Sequence, residues 1–187
     1  MERAVFLDRD GTIIEDTGYP HERDKIKFLP RVSEAIRLLN QNGFKVIITT
    51  NQSGVARGYF TEETVREINR YIQESLARQG ATIDKMYYCP HHVEGTIEEY
   101  RKECYCRKPN PGMIEEAIGE FDIDSRNSFV IGDKISDIQA GRRAGCKAIL
   151  LVSEDSPNEE AEAASAPDLH IATDLYQAAE WVIKSSR

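Results

Sequence analysis

The most informative stretch of the sequence is Ala4-Val5-Phe6-Leu7-Asp8-Arg9-Asp10-Gly11-Thr12. In it, an apolar run ends directly in two carboxylates one residue apart. The run at residues 4–7 predicts a buried strand. Burying Asp8 and Asp10 side by side without a partner would be costly. A divalent cation would resolve that conflict, and a phosphoryl group would give it a purpose. Gly11 permits a tight turn whose exposed backbone N–H groups suit a phosphate.

Strand and helix patterns alternate along the 187 residues. Short apolar runs predict six strands, at residues 4–7, 45–49, 83–88, 128–131, 147–152 and 169–171. Helical periodicity lies between them, with Thr61 as the cap of the second helix and Asn110 and Pro111 as N-cap and N1 of the third, which runs to about Phe121. A last helix is predicted over residues 174–183, and residues 154–167 as a surface loop, with or without a short helix. The alternation predicts a doubly wound, mainly parallel α/β sheet with helices on both faces.

Composition limits the class of protein. An apolar fraction of 40% and a charged fraction of 30% fit a single globular domain over residues 1–187. A net charge of −8 argues against nucleic-acid binding, which usually needs a basic face. No run is long enough to cross a membrane and no signal-peptide pattern begins the chain, so we expect a cytoplasmic protein without a membrane partner. In that setting four cysteines are predicted to be thiols or metal ligands.

Polar residues at three predicted strand ends point to one site. Asp8, Thr50 and Asp133 each follow a predicted strand, and the carboxyl ends of parallel strands share the edge where ligands bind. A second acidic pair, Asp133 and Asp137, could simply cap or decorate a helix, but its Gly-Asp-Lys start after a strand favours metal ligation. Lys108 is tethered between a possible metal loop and a helix N-terminus. These residues predict a Mg²⁺-dependent phosphoryl-transfer enzyme with an aspartate nucleophile.

Cysteine and histidine cluster in the segment from Cys89-Pro90-His91-His92 to Cys104-Tyr105-Cys106, which holds three of the four cysteines. Four soft ligands without an open position suit a tetrahedral, structural Zn²⁺. The predicted zinc ligands are Cys89, His91, Cys104 and Cys106. His91 is preferred over His92 only because Cys89 and His91 then have the same one-residue spacing as Cys104 and Cys106. Zinc would staple a loop at about residues 89–106. Cys146 is predicted to be a core thiol.

The ordered set Asp8-x-Asp10-Gly11-Thr12, Thr50, Lys108 and Gly132-Asp133-x-x-x-Asp137 resembles the four motifs of the haloacid dehalogenase superfamily of phosphatases. The resemblance implies that Asp8 attacks phosphorus and forms an aspartyl phosphate, while Asp10 acts as acid and then as base. It implies Mg²⁺ bound by Asp8, the Asp10 backbone carbonyl and Asp133, with Thr50 and Lys108 orienting the phosphoryl oxygens. Arg9 belongs to the signature without a required role. Asp137 is left between water-mediated metal ligation and support of Lys134.

Nearly the whole chain is similar to the bacterial D-glycero-D-manno-heptose 1,7-bisphosphate 7-phosphatases, through FLDRDGTI, GYPHE, TTNQSGVARGYFTEE, YYCPHH, CYCRKPNPGM and VIGDKISDIQAG. This implies hydrolysis of the C7 phosphate, giving heptose 1-phosphate for activated-heptose synthesis. Predicted contacts to this phosphorylated sugar are Asp16, Thr17, Gly18, Tyr19, Thr50, Asn51, Gln52, Ser53, Arg107, Lys108 and Lys134. Arg107 could hold the uncleaved phosphate. The motif spacing leaves no room for a cap domain, so we expect an open site and a monomer.

Alternatives stay open at this point. Histidinol-phosphate phosphatase shares the four motifs and a similar zinc loop, although with a shorter gap before the second cysteine pair. A non-catalytic, zinc-stabilised interaction module is disfavoured by the intact motif set, and a polynucleotide 3′-phosphatase by the acidic charge and the lack of an aromatic and basic groove. The sugar anomer at C1 and the choice between Mg²⁺ and Mn²⁺ are both open.

Overall fold

The computed structural model describes residues 1–152 and 169–186, which contain one six-stranded sheet. The strands are β1 (Arg3–Leu7), β2 (Phe44–Asn51), β3 (Lys85–Cys89), β4 (Phe129–Gly132), β5 (Lys147–Leu151) and β6 (His170–Ala172). Their order is β3-β2-β1-β4-β5-β6, and every neighbouring pair is parallel. The predicted doubly wound α/β fold is therefore confirmed. The chain winds outward from β1 in one direction and then in the other, so β1 lies at the switch point.

Helices cover both faces of this sheet. They are α1 (Val32–Gln41), α2 (Glu62–Ala77), α3 (Gly112–Phe121), α4 (Ile135–Arg143) and α5 (Leu175–Ser185), with 3₁₀ turns at Arg23–Lys25, Glu98–Tyr100 and Ser125–Asn127. Val5 and Leu7 of β1 pack in the core under α1, α2 and α5. Ala4 and Phe6 point into a second core with α3. Because alternate residues of β1 enter opposite cores, the strand is apolar throughout.

Two local predictions differ from the structure at α3 and β3. Pro111, not Asn110, is the N-cap of α3, and the helix begins at Gly112. The Asn110 side chain instead donates to the Cys104 carbonyl oxygen at 3.0 Å, because the cysteine-rich loop packs on this helix end. The third strand begins at Lys85, two residues later than predicted, since the Asp84 side chain accepts from the Val46 N–H at 2.8 Å.

The Thr61 cap of α2 is confirmed, with its side chain accepting from the Thr64 N–H at 3.3 Å. The predicted loop at residues 154–167 lies outside the described residues. Between β1 and Lys108, the described chain forms two 3₁₀ turns, α1, β2, α2, β3 and the cysteine-rich loop that contains the second of these turns. This leaves the sheet edge without a separate cap. In the part of the chain that the structure describes, no helix is long and apolar enough to span a membrane.

Candidate active site

The Lys108 ammonium lies at the centre of the polar edge formed by the ends of β1, β2 and β4. Its Nζ is 2.8 Å from Asp8 Oδ1, 2.6 Å from Asp137 Oδ1 and 2.6 Å from the Thr49 carbonyl oxygen. The side chains of Lys108, Asp8 and Asp137 are all buried. Burial alone would lower the pKa of Lys108, but Asp137 and then Asp8 outweigh it and raise that pKa above its ordinary value. Lys108 is therefore a fixed cation beside the Asp8 carboxylate.

Asp133 supplies an excess of negative charge at the same place. Its Oδ1 is buried and has no hydrogen-bond partner among the described residues. Burial raises the pKa of Asp133 to about 7; Lys134 opposes this rise, and Asp8 and Asp137 add to it. Carboxylate oxygens of Asp8, Asp133 and Asp137 lie within 4.8 Å of one another. Three clustered carboxylates with an orphaned oxygen fit a hard divalent cation such as Mg²⁺.

The turn after β1 makes room for this cluster. Gly11 has φ +90°, in the left-handed region, and a Cβ there would overlap the Asp133 carboxylate. The Gly11 N–H donates to the Ile14 carbonyl oxygen at 2.8 Å, so this turn is closed by its own backbone. A side chain at Gly11 would therefore displace Asp133 from the metal position.

Asp137 has a partner that the sequence did not indicate, the Lys108 ammonium. One of its oxygens pairs with Lys108, and Oδ2 accepts from the Lys134 backbone N–H at 3.1 Å. The predicted support of Lys134 thus concerns its backbone at the start of α4, while the Lys134 Nζ bonds Asp16 Oδ2 at 2.9 Å. Burial raises the pKa of Asp137 to about 6, against the lowering effect of Lys108. Asp137 joins α4 to the central lysine.

The Asp10 carboxylate accepts hydrogen bonds from Arg9 and Gln52, and the sequence did not predict these contacts. Arg9 contacts both of its oxygens, and Gln52 Nε2 donates to Oδ2 at 2.9 Å. The same Gln52 nitrogen donates to Thr50 Oγ1 at 2.8 Å. The only sequence signal for Arg9 was a charged residue between two acids at the end of a buried strand.

A cleft of about 450 Å³ opens beside these groups. It is lined by Asp10, Asp16, Gly18, Tyr19, Pro20, Asn51, Gln52, Ser53, Arg107, Lys108, Lys134 and Ser136. The structure therefore gathers most of the predicted sugar-binding residues, and it adds Pro20 and Ser136. Thr17 is not among the lining residues, and Thr50 lies buried beneath them. Three cations of the lining (Arg107, Lys108 and Lys134) favour a phosphorylated ligand.

Three hydrogen bonds fix Arg107 and Lys108, which form the cationic wall of this cleft. The Asn51 amide brackets the Lys108 backbone, donating to its carbonyl oxygen at 3.0 Å and accepting from its N–H at 3.1 Å. Arg107 Nη1 donates to the His91 carbonyl oxygen at 3.2 Å. Asn51 thus positions Lys108, and the cysteine-rich loop positions Arg107.

The four predicted zinc ligands form one cluster next to this wall. Ligand atoms of Cys89, His91, Cys104 and Cys106 lie within 4.8 Å of one another, and the cysteines are free thiols. The sulfur–sulfur distances of 3.1–3.3 Å are slightly below the roughly 3.8 Å edge of a tetrahedron with Zn–S bonds of about 2.3 Å. Hydrogen bonding by Cys89, with smaller effects of Cys104 and His91, lowers the pKa of Cys106 to about 5. This Cys₃His cluster is compatible with zinc. His92 lies outside it, accepting from the Glu94 N–H.

Comparison with known proteins gives the class first. A family model described as HAD-hydrolase-like matches residues 105–178. Among solved structures, a HAD-like phosphatase from Mesorhizobium loti is 33% identical with a TM-score of 0.84, covering 99% of this chain and 87% of that one. The D,D-heptose 1,7-bisphosphate phosphatase of B. bronchiseptica, complexed with magnesium and phosphate, is 30% identical with a TM-score of 0.84, covering 98% and 99%. The fold is that of HAD phosphatases.

Curated relatives give the family. The D-glycero-β-D-manno-heptose-1,7-bisphosphate 7-phosphatase of Photorhabdus laumondii is 45% identical over 182 residues, covering 97% of both chains. The enzyme of the same name from Escherichia coli K12 is 44% identical over 176 residues, covering 94% of this chain and 92% of the relative. The chain belongs to this family of phosphatases.

Proposed function

We propose that this protein hydrolyses the C7 phosphate of D-glycero-β-D-manno-heptose 1,7-bisphosphate, with Mg²⁺ and through an aspartyl phosphate on Asp8. The observation that carries the proposal is the buried Asp8 carboxylate, fixed by Lys108 beside the unpartnered oxygen of Asp133. The β anomer is proposed because the curated relatives at 44–46% identity bear that anomer in their names. Heptose 1-phosphate would then enter activated-heptose synthesis.

The residues divide the reaction into two displacements. An Asp8 oxygen forms a bond to phosphorus as the bond between phosphorus and the C7 oxygen breaks, and Asp10 gives that leaving oxygen its proton. Asp10 then takes a proton from water, whose oxygen attacks phosphorus and breaks the bond to Asp8. Inorganic phosphate leaves, and both aspartates return to their first state. Lys108 and Thr50 stay in place and orient the phosphoryl oxygens.

The Mg²⁺ would be held by the Asp8 carboxylate, the Asp10 backbone carbonyl and Asp133, and it would neutralise charge on the phosphoryl group. The Arg107 guanidinium, held by the His91 carbonyl, is proposed to bind the uncleaved phosphate at C1 through paired hydrogen bonds. Zn²⁺ on the Cys₃His cluster would keep the loop that carries this contact in place. Its role would be structural, because the cluster offers four protein ligands and a tetrahedral zinc would have no open position.

The test is phosphate release with Mg²⁺ from the β and α anomers of heptose 1,7-bisphosphate and from histidinol phosphate, with Asp8→Asn as the inactive control. We expect the highest kcat/KM for the β anomer. Fastest release from histidinol phosphate would refute the substrate and retain the chemistry. No release from any of them, or an active Asp8→Asn variant, would refute the phosphatase mechanism itself. The monomeric state and cytoplasmic location stay predictions.

A further inference from the structure

Arg9 is a buried cation that has no role in the two displacement steps proposed above. Its side chain is only 1% exposed, at the end of β1 and between the two catalytic aspartates. A buried guanidinium is costly unless it is paired and hydrogen-bonded. The partners of Arg9 therefore indicate what this position does.

The guanidinium forms a fork on the Asp10 carboxylate. Arg9 Nε lies 2.9 Å from Asp10 Oδ1, and Nη2 lies 3.1 Å from Oδ2. The third arm, Nη1, donates to Asn69 Oδ1 at 2.9 Å, and Asn69 is a buried residue of α2. A two-point contact fixes the plane of a carboxylate, which a single ammonium cannot do. Through Asn69, helix α2 braces the fork that sets the orientation of Asp10.

The two oxygens of Asp10 are not equivalent in this arrangement. Oδ2 accepts from Arg9 and from Gln52, whereas Oδ1 accepts only from Arg9 among the described residues. An ionised carboxylate has about four acceptor sites, two on each oxygen. The spare site is therefore on Oδ1, and Asp10 also lines the cleft.

We infer that Arg9 is a positioning residue which, braced by Asn69, holds Asp10 so that Oδ1 exchanges protons with the leaving oxygen and with the attacking water. This inference rests on the proposed function, because it takes the acid and base role of Asp10 from there. Arg9 itself is not among the residues that line the cleft. Its loss should slow proton transfer and leave the attack by Asp8 intact.

The experiment compares two leaving groups in the full-length, metal-loaded protein. A sugar alkoxide needs a proton to leave, whereas p-nitrophenolate leaves without one. For Arg9→Met we expect kcat on the heptose bisphosphate to fall by about 10²-fold or more, which is the size of the contribution that acid–base catalysis makes. KM should change less than about threefold. With p-nitrophenyl phosphate the variant should give a burst of one equivalent of p-nitrophenolate at the wild-type rate. Slow turnover should follow, because hydrolysis of the aspartyl phosphate still needs the base.

Three further variants separate positioning from folding. Arg9→Lys should not restore kcat, since lysine lacks the fork, and Asn69→Leu should cause a smaller loss of the same kind. Arg37→Met is the control, because Arg37 is a surface residue of α1 that donates to the Gln79 carbonyl oxygen. Thermal melting of each variant reports folding, and if Arg9→Met does not fold, Arg9→Lys and Asn69→Leu decide.

Two outcomes would overturn the inference. One is a kcat of the folded Arg9 variants within about threefold of wild type; the other is a burst that slows in parallel with kcat, as a displaced Asp8 would cause. If the wild type releases no phosphate from the heptose bisphosphate, the proposed substrate fails. The p-nitrophenyl phosphate assay still decides about Arg9 in that case, because its slow phase depends on Asp10.

Discussion

Replacing Lys108 by methionine removes the ammonium that pairs with the buried Asp8 and Asp137 carboxylates, while keeping a side chain of similar length. Its Nζ makes three contacts of 2.6–2.8 Å, to Asp8, Asp137 and the Thr49 carbonyl oxygen. Removing one partner of a buried ion pair costs about 3–5 kcal/mol. For a protein of this size, each kcal/mol shifts Tm by about 2–4 °C. We therefore expect Lys108→Met to lower Tm by roughly 6–20 °C without Mg²⁺.

The assay is thermal unfolding of protein without added Mg²⁺. No chelator is used, because it would also remove a metal ion from the cysteine cluster. Added Mg²⁺ should restore part of the lost stability, because it neutralises the same carboxylates. The double variant Lys108→Met/Asp137→Asn should show a smaller drop in Tm than the sum of the drops of the two single variants. The reason is that Asp137→Asn removes one of the carboxylate charges that Lys108→Met leaves unpaired. Turnover should fall about 10²–10³-fold, as for loss of one transition-state donor.

The control for this prediction is Lys85→Met. Lys85 is about half exposed and pairs with Glu120 on the surface, where screening by water makes ion pairs weak. A Tm loss in Lys108→Met no larger than in Lys85→Met would refute the reasoning. Strict additivity with Asp137→Asn would also contradict it, because the two residues would then not be coupled.

Three further predictions concern the cysteine cluster, the second phosphate and the turn after β1. Cys104→Ser should lower both bound zinc, measured by metal analysis, and Tm; Cys146→Ser, outside the cluster, should keep full zinc, and unchanged zinc in Cys104→Ser would contradict the site. Arg107→Ala should reduce kcat/KM about 10–100-fold more for the 1,7-bisphosphate than for heptose 7-phosphate, as expected for charge-assisted hydrogen bonds, and equal losses would remove its role. Gly11→Ala should weaken Mg²⁺ binding, measured by calorimetry, and abolish most activity, because its Cβ overlaps the Asp133 carboxylate. Gly119→Ala, whose Cβ meets nothing within 4 Å, should leave both unchanged.

The sequence alone determined the strand–helix alternation, the four motifs, three of which follow strands, and the Cys₃His spacing. These features are local, because apolar runs, caps and turn residues act over a few positions. The convergence of Asp8, Thr50 and Asp133 also followed, since parallel strands must bring their carboxyl ends to one edge. The boundaries of α3 and β3 did not follow, because the side chains of Asn110 and Asp84 bond the backbone of neighbouring elements instead of the expected local partners.

Only the tertiary structure decided which partners the polar side chains take. Lys108 meets Asp8 across 100 positions and Arg9 meets Asn69 across 60. The amide of Asn51 holds the Lys108 backbone rather than facing the cleft alone. The type of a residue shows whether its side chain can donate or accept a hydrogen bond. Which partner it takes depends on how the helices and loops pack. The motifs therefore named the reacting groups, while packing of α2, α4 and the cysteine-rich loop supplied the neighbours that hold them in place.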